Sequence, residues 1–263
     1  MADSSLKEMT RNRGLKAGGF VMEFFSPSIG QILKDGGCDF AVLDMEHSGV
    51  GFETIKSAIR YFRSVELPAM VRVPTKDSSD IARALDAGAE GLMLPMVSSA
   101  EQAKQIIASA KYVPAGQRGV ATMPAHDRWP KLSFQEKLAA ANHQTTLFAL
   151  IETAEGARNV DAIAALPEID CLWIGHMDLS CSLGIPGEYD HADFKNAVAA
   201  VRSACLKHNK SFGRLARTVD EAFALFKEGY DFISYSIDVW LLQAAVSEGI
   251  RSLRKQCAED AGR

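Results

Sequence analysis

The stretch AMVRVPTKDSSDIARALDAGAEGLML, residues 69–94, contains one unit of a pattern that is repeated along the chain. It begins with one short apolar run, Ala69–Val73, and ends with another, Gly91–Leu94. Nearly continuous apolar runs of this length are typical of parallel strands that are buried on both faces. A helix between them is predicted to stop at Gly88, because a glycine adopts the left-handed C-cap conformation at little steric cost. The stretch therefore predicts a strand–helix–strand unit.

The same alternation continues to both ends of the chain. Six more apolar runs are predicted as strands: Gly19–Phe24, Phe40–Leu43, Leu147–Ile151, Cys171–Ile174, Ser211–Leu215 and Phe232–Tyr235. Apolar residues at helical spacing follow two of the later runs: Phe194, Ala197, Val198, Val201, Ala204 and Cys205, then Leu242, Ala245, Val246, Gly249, Ile250 and Leu253. Strands that alternate with helices in this way predict one α/β domain over residues 1–263, a closed (β/α)8 TIM barrel.

The prediction also includes the two terminal segments, two more helix ends and one long loop. Residues 1–17 are a polar N-terminal segment, and about 240–257 are a C-terminal helix. Two more helices are predicted to stop at Gly36 and Gly229. The long interval from about Tyr112 to Ser133 contains several prolines and glycines, which predicts an elaborated loop that acts as a lid or a subunit contact.

Composition narrows the choice of partners. A net charge of −4 and a pI near 5.9 leave no basic surface of the kind that nucleic acid requires. No apolar run approaches the roughly 18 residues that cross a membrane. The start MADSSLKEMTRNRG has no apolar core of a signal peptide, and the five cysteines show no C-x-x-C spacing. We therefore expect a cytoplasmic protein that acts on small molecules.

Ionisable residues follow four of the predicted strands: Asp44, Glu46 and His47 after strand two, Arg72 after strand three, Glu152 after strand five, and His176 and Asp178 after strand six. In a parallel barrel these strand ends converge on one face, where the catalytic groups lie. A single carboxylate there could equally cap a helix or pair with a lysine. Together the set offers acids for a cation, an arginine for an anion and a histidine for proton transfer.

Glu152 and Asp178 are candidate metal ligands. They are hard oxygen donors on neighbouring strands, which favours Mg²⁺ or Mn²⁺ over zinc, and such sites also accept Co²⁺. A 2-oxo acid could chelate the metal, and Arg72 would face the oxygen that gains charge as an enolate forms. A Schiff-base mechanism is not favoured, because Lys76 is predicted to lie in a polar loop beyond strand three.

Seven segments in order resemble the HpcH/HpaI aldolases, a family of class II pyruvate aldolases that includes 4-hydroxy-2-oxoheptanedioate and 2-dehydro-3-deoxyglucarate aldolases. The segments are Leu43-Asp44-Met45-Glu46-His47, Val71-Arg72-Val73-Pro74, Leu85-Asp86-Ala87-Gly88-Ala89, Leu94-Pro95-Met96-Val97, Pro114-Ala115-Gly116-Gln117-Arg118-Gly119, Ile151-Glu152-Thr153 and Gly175-x-x-Asp178-Leu179-Ser180. Each segment alone is modest, but the ordered set covers most of the chain.

The resemblance implies a reaction: reversible aldol cleavage of a 4-hydroxy-2-oxo acid to pyruvate and an aldehyde through a metal-bound enolate. It implies that Glu152 and Asp178 hold the divalent cation (Mg²⁺, Mn²⁺ or Co²⁺) and that Arg72 stabilises the enolate. His47 would be the acid/base residue, with Asp44 and Asp86 orienting it and groups at a subunit interface completing the site. Arg72, Ser180 and Met177 would contact the substrate. The family also suggests a homohexamer, a trimer of dimers that exchange C-terminal helices.

Departures from the family pattern leave other reactions open. His176-Met177 stands where a proline is usual, Leu150 replaces a common glutamine, and Ser234-Tyr235-Ser236-Ile237-Asp238 replaces a pattern of smaller residues. Substrate specificity would depend on Ser26, Ser28, Thr122–Asp127 and His176–Met177. The alternatives are a metal-dependent decarboxylase, an acyl-CoA lyase like the citrate-lyase β barrels, and a non-catalytic protein that binds a 2-oxo acid.

Overall fold

The computed structural model describes residues 5–124, 126 and 130–261. Eight parallel strands pair in chain order and close into a barrel, as the sequence predicts. The strands are β1 Lys16–Val21, β2 Phe40–Asp44, β3 Ala69–Arg72, β4 Gly91–Leu94, β5 Thr146–Ile151, β6 Ile169–Ile174, β7 Ser211–Ala216 and β8 Phe232–Ile237. The last strand returns to the first, with Lys16 opposite Phe232. The (β/α)8 TIM-barrel prediction is confirmed.

Helices separate the strands and cover the outside of the barrel. They are α1 Leu6–Met9, α2 Ile29–Asp35, α3 Phe52–Ser64, α4 Ser78–Ala87, α5 Ala100–Ala110, α6 Phe134–Gln144, α7 Ala154–Arg158, α8 Val160–Ala164, α9 His176–Ser182, α10 Ala192–Lys207, α11 Val219–Lys227 and α12 Asp238–Ala261. A large core fills the layer between strands and helices, and a second core with many aromatic residues fills the barrel itself. In the described residues, no helix is both long enough and apolar enough to cross a membrane.

The first strand lies earlier in the chain than predicted. It ends at Val21, and the backbone N–H groups of Met22, Glu23 and Phe24 donate to Oδ2 of Asp238 at 3.2, 3.0 and 2.8 Å. A strand would give its N–H groups to neighbouring strands, whereas here one buried carboxylate takes three of them in succession. The prediction of Gly19–Phe24 as a strand is therefore wrong at both ends, because Asp238 turns this segment out of the sheet.

The N-terminal segment contributes to the core, which its polar composition does not predict. Leu6 in α1 is fully buried and belongs to the cluster inside the barrel. A Cβ on Gly91, at the start of β4, would stand 2.9 Å from the Leu6 side chain, so the glycine makes room for it. The short helix α1 thus closes the base of the barrel, and residues 16 and 17 already belong to β1.

Two of the three predicted glycine stops have the left-handed backbone. Gly88 has φ 108° and Gly229 has φ 98°. Gly36 does not, since its φ is −70° and its N–H still donates to the carbonyl of Ile32 in the helical manner. The left-handed residue there is Gly37, with φ 87°. Helix α2 thus ends before Gly36 as predicted, and only the left-handed conformation lies one residue later.

Helix α12 is longer than the predicted range of about 240–257 and has two unlike faces. Its apolar stripe is exposed: Val239, Leu242, Val246, Ile250 and Leu253. The opposite face carries ion pairs, Arg251 with Glu248 and Lys255 with Glu259. In a single chain, the apolar face of this helix is therefore left in solvent.

Candidate active site

Asp44 and Arg72 form the centre of the site. They end the neighbouring strands β2 and β3 and lie side by side in register. Arg72 Nε donates to Asp44 Oδ1 at 2.7 Å, and the guanidinium lies 4.9 Å from the centre of the Phe20 ring. Asp44 is fully buried and also accepts the backbone N–H groups of Glu46 and His47. These contacts hold the guanidinium at the C-terminal mouth of the barrel.

Glu46 is a third group at the mouth of the barrel, and no separate role is predicted for it from the sequence. Its Oε2 lies 3.3 Å from Arg72 Nη1 and 3.9 Å from Nε2 of His47. This oxygen is buried and has no hydrogen-bond partner among the described residues. Burial raises the pKa of the Glu46 carboxyl, against the opposing pull of the Arg72 charge. Glu46 therefore presents an acceptor that a bound group could satisfy.

His47 lies at the rim of the mouth. More than half of its side chain is exposed (57%), which leaves the imidazole accessible to solvent. Asp44 accepts the backbone N–H of His47 at 3.2 Å, so it fixes the position of the residue through the main chain. That Asp44 orients the His47 imidazole stays a prediction.

Glu152 follows β5 and is buried, with 3% exposed. Its Oε1 accepts the backbone N–H of Met96 at 2.6 Å. The pKa of Glu152 is raised to about 8, chiefly by burial and also by the carboxylates of Glu46 and Asp178, while the Met96 N–H and the Arg72 charge oppose the rise. A Cβ on Gly175 would stand 2.3 Å from Oε2 of Glu152, so only glycine leaves space for this carboxylate.

Asp178 is exposed in the first turn of α9, directly after β6. It acts electrostatically on both Glu46 and Glu152. Three carboxylates thus gather at the mouth, and two of them have a pKa raised by burial. A divalent cation would relieve that accumulation of negative charge, and oxygen donors suit Mg²⁺ or Mn²⁺. The donor set therefore fits the predicted metal.

The protein side chains do not supply a complete metal shell. Within residues 5–124, 126 and 130–261, no three His, Cys, Asp or Glu side chains are grouped closely enough to hold a metal ion. Glu152 and Asp178 would provide two ligands, and water or a chelating substrate would have to provide the rest. Such open coordination is characteristic of sites where the substrate binds the metal.

Lys76 reaches this site, which its place in a polar loop does not predict. It lies between β3 and α4, is partly buried, and its Nζ donates to the carbonyl of Met96 at 2.6 Å. Burial lowers the pKa of Lys76, while the charges of Glu152 and Glu46 raise it. The flexible length of the lysine side chain, rather than its position in the sequence, brings the ammonium group to the mouth.

Asp86 lies at the other end of the barrel. It is in the last turn of α4, and helices of the barrel run back from the mouth to the base. Its Oδ1 accepts from Nη2 of Arg118 and lies 3.7 Å from Nδ1 of His126. Within one chain the structure does not bring Asp86 to His47, so the expected pair does not form there.

The two predicted substrate contacts on α9 differ in availability. Ser180 is fully buried, and its Oγ donates to the Met177 carbonyl at 2.7 Å while accepting the Gly187 N–H at 3.0 Å. The hydroxyl holds this loop through these two bonds, and a contact between Ser180 and substrate stays a prediction. Met177 is 57% exposed and lies next to Asp178, so its side chain remains available.

Two other predicted specificity segments can be placed. His176 packs against Tyr189 with ring centres 5.3 Å apart, and burial lowers its pKa to about 4. It is therefore neutral near pH 7 and forms a wall beside Asp178. In the segment Thr122–Asp127, residues 125 and 127 lie outside the described residues.

Known proteins resemble this chain over most of its length. The sequence pattern of the HpcH/HpaI aldolase/citrate lyase family matches residues 19–245. A 4-hydroxy-2-oxovalerate aldolase of Novosphingobium aromaticivorans is 34% identical over 248 residues, 93% of this chain and 92% of the relative. A hydroxypyruvate/pyruvate aldolase of Paraburkholderia phytofirmans is 34% identical over 233 residues, with coverage of 86% and 89%. An HpcH/HpaI family structure from Burkholderia cenocepacia has a TM-score of 0.88 at 31% identity, covering 95% of this chain and 98% of that one.

The chain belongs to the HpcH/HpaI aldolase/citrate lyase family, and the resemblance seen in the sequence is confirmed. It is a carbon–carbon lyase of the aldolase kind. The matched region contains every residue described above at the mouth of the barrel.

Proposed function

We propose that the enzyme cleaves a 4-hydroxy-2-oxo acid reversibly to pyruvate and an aldehyde. The observation that carries this proposal is the placement of Arg72 between Asp44 and Glu46, at the same barrel end as Glu152 and Asp178. A guanidinium beside a carboxylate cluster suits a substrate that binds a cation and gains negative charge on an oxygen during reaction. The relatives named 4-hydroxy-2-oxovalerate aldolase and hydroxypyruvate/pyruvate aldolase support a small oxo acid.

Glu152 and Asp178 would hold a divalent cation, Mg²⁺, Mn²⁺ or Co²⁺. When bound, that cation supplies Lewis-acid polarisation of the keto group of the oxo acid. Glu152 must lose its proton to serve as a ligand, and the Met96 N–H stabilises the ionised form. The exposed Asp178 lies on the solvent side, where the substrate would enter.

The reacting groups of the chain are Arg72 and His47. His47, directly or through a water, accepts the proton of the C4 hydroxyl, and the C3–C4 bond breaks to release the aldehyde. The electron pair of that bond passes into the enolate of pyruvate, whose oxygen Arg72 stabilises. A proton returned to C3 then gives pyruvate. Histidine suits both transfers, because its unperturbed pKa of about 6.5 lies close to neutral pH.

Helix α12 supports a homo-oligomer within this proposal. Its exposed apolar stripe lies opposite a face of ion pairs, the pattern of a helix that buries one side. We expect a second copy of the chain to cover the stripe, in dimers that exchange this helix and assemble as a trimer of dimers. The cytoplasmic location stays a prediction.

Deuterium exchange into pyruvate tests the proposal without knowledge of the aldehyde. The protein is incubated with pyruvate in D₂O, with Mg²⁺, Mn²⁺ or Co²⁺ or with EDTA, and the deuterium in pyruvate is measured by mass spectrometry. Metal-dependent exchange that is lost in Glu152→Ala is expected. Absence of exchange with all three metals contradicts a pyruvate aldolase, and oxaloacetate decarboxylation measured in parallel then tests the nearest alternative.

A further inference from the structure

Met96 links Lys76 to Glu152 through its two backbone polar groups. Lys76 Nζ donates to the Met96 carbonyl at 2.6 Å, and the Met96 N–H donates to Glu152 Oε1 at 2.6 Å. The Oγ of Ser98 also donates to the Met96 carbonyl, at 3.2 Å. One residue of the β4–α5 loop is therefore fixed on one side by a cation and on the other by the buried carboxylate.

The backbone of Met96 needs such support. Its φ is 54°, in the left-handed region that residues with a Cβ disfavour. Its side chain is 44% exposed, so packing of that side chain contributes little to holding the conformation. The hydrogen bonds at its carbonyl and amide are the contacts that oppose relaxation to an ordinary backbone angle. Loss of the bond from Lys76 would let the Met96 N–H turn away from Glu152.

We infer that Lys76 is a positioning residue for Glu152, acting through the left-handed backbone of Met96. The inference rests on the proposed function in one respect, since it takes Glu152 to be a metal ligand. Lys76 itself is not assigned a contact with substrate or metal. Its role is to keep the Met96 N–H directed at Glu152 Oε1, so that the carboxylate has one orientation.

Charge repulsion alone predicts that removal of Lys76 strengthens metal binding, whereas the inference predicts that it weakens metal binding. The direction of the change in affinity therefore tests the inference. A positive charge that acts on Glu152 and Glu46 repels a divalent cation bound nearby. Removal of that charge alone would tighten metal binding. Loss of the hydrogen bond to Met96 would weaken it, because Glu152 would lose a donor and its orientation.

The first measurement is Mn²⁺ affinity by calorimetry and by the EPR signal of free Mn²⁺. Lys76→Met is expected to weaken Mn²⁺ binding at least threefold, and Lys76→Arg to restore most of it. Lys104→Met, at an exposed position on α5, is the matched control and should leave binding unchanged. Addition of Met96→Gly to Lys76→Met should recover affinity, because glycine adopts a left-handed angle without support. Binding by Lys76→Met as tight as in the wild type, or tighter, overturns the inference.

A second measurement uses the metal-free protein and so separates the two proposals. Hydrogen–deuterium exchange of the peptide containing the Met96 amide should be faster in Lys76→Met, with peptides from the far side of the barrel unchanged. Unchanged exchange at this peptide overturns the role of Lys76. If the wild type instead binds no Mn²⁺ and exchanges no pyruvate protons, the proposed function fails, while the exchange rate at Met96 still decides the role of Lys76.

Discussion

Gly175 lies directly against Glu152: a Cβ on the glycine would stand 2.3 Å from Oε2 and 2.7 Å from the Cβ of Glu152. These separations are too short for any side chain, and Glu152 is buried with nowhere to retreat. The residue that follows β6 therefore determines where the carboxylate that follows β5 can be. The residue after β6 must therefore be small, so that the carboxylate after β5 can occupy its position in the site.

Gly175→Ala should consequently displace Glu152. We expect pyruvate exchange to fall more than tenfold and stability to fall by about 1–3 kcal/mol, the usual cost of an overpacked interior. The measurements are deuterium exchange into pyruvate and urea unfolding of the metal-free protein. Gly119→Ala is the control, since a Cβ there meets no atom of the described residues within 4 Å. A Gly175→Ala enzyme with normal Mn²⁺ affinity would contradict the assignment of Glu152 as a ligand.

Arg72→Ala should lower kcat for enolisation by about 100- to 1,000-fold, the typical cost of one lost donor to a developing oxyanion. The kcat of Arg72→Lys should lie between those of the wild type and Arg72→Ala. Lysine keeps the charge but not the planar fork that contacts Asp44 and Glu46. Thermal unfolding of each variant checks that the fold survives. Arg251→Ala, on the outer face of α12, serves as the control. A near-normal rate in Arg72→Ala would remove Arg72 from the mechanism.

Metal affinity should depend on pH through Glu152. Burial raises the pKa of this carboxyl to about 8 in the metal-free protein, with Glu46 and Asp178 adding to the shift, Arg72 opposing it and the Met96 N–H opposing it. A proton must leave before the cation binds, so affinity should rise about tenfold per pH unit up to about 8 and then level off. Calorimetric titration of Mn²⁺ between pH 6 and about 9 measures this. A pH-independent affinity would contradict it.

The same group has a linked effect on stability of the metal-free enzyme. Because the pKa of Glu152 is raised on folding, its contribution is fully present below the unfolded value of about 4.3 and is lost as pH rises through about 8. Glu152→Gln should therefore flatten the decline of stability in this range, whereas Glu101→Gln, at an exposed position on α5, should not. Urea unfolding at several pH values makes the comparison.

Assembly should depend on the apolar stripe of α12. Leu242→Glu combined with Ile250→Glu is expected to convert the oligomer to smaller species, because charges cannot be buried in an apolar interface without partners. Light scattering after size exclusion gives the mass directly. Lys255→Glu lies on the opposite face and should leave the mass unchanged. A double variant of unchanged mass would exclude the stripe as an interface.

Much of the fold follows from sequence periodicity, since buried parallel strands and amphipathic helices have distinct patterns. The position of β1 does not, because it depends on Asp238, more than two hundred residues away in the chain, taking the N–H groups of Met22 to Phe24. Leu6 is similar: a lone leucine in a polar segment carries no pattern, and only the closed barrel shows that there is a space for it.

For the candidate site too, some residues could be predicted from the sequence and others could not. The acidic and basic residues at strand ends could be found because strand ends converge in a parallel barrel. Lys76 could not, since its reach from a loop depends on side-chain conformation. The hydrogen bonds of the Ser180 hydroxyl to Met177 and Gly187 could not be predicted either, because they depend on the conformation of the loop after α9. Asp86 belongs to a segment that resembles the family, but that segment does not indicate at which end of the barrel the residue lies.

The pairing of β1 with β8 sets a condition on biosynthesis. During translation β1 leaves the ribosome early and can pair with β2, while its other edge waits for a strand near the C-terminus. Until then the nascent chain carries an open strand edge, which invites wrong pairing with other chains. Closure joins β1 to β8, two strands that are far apart in the chain, so folding is expected to be slow.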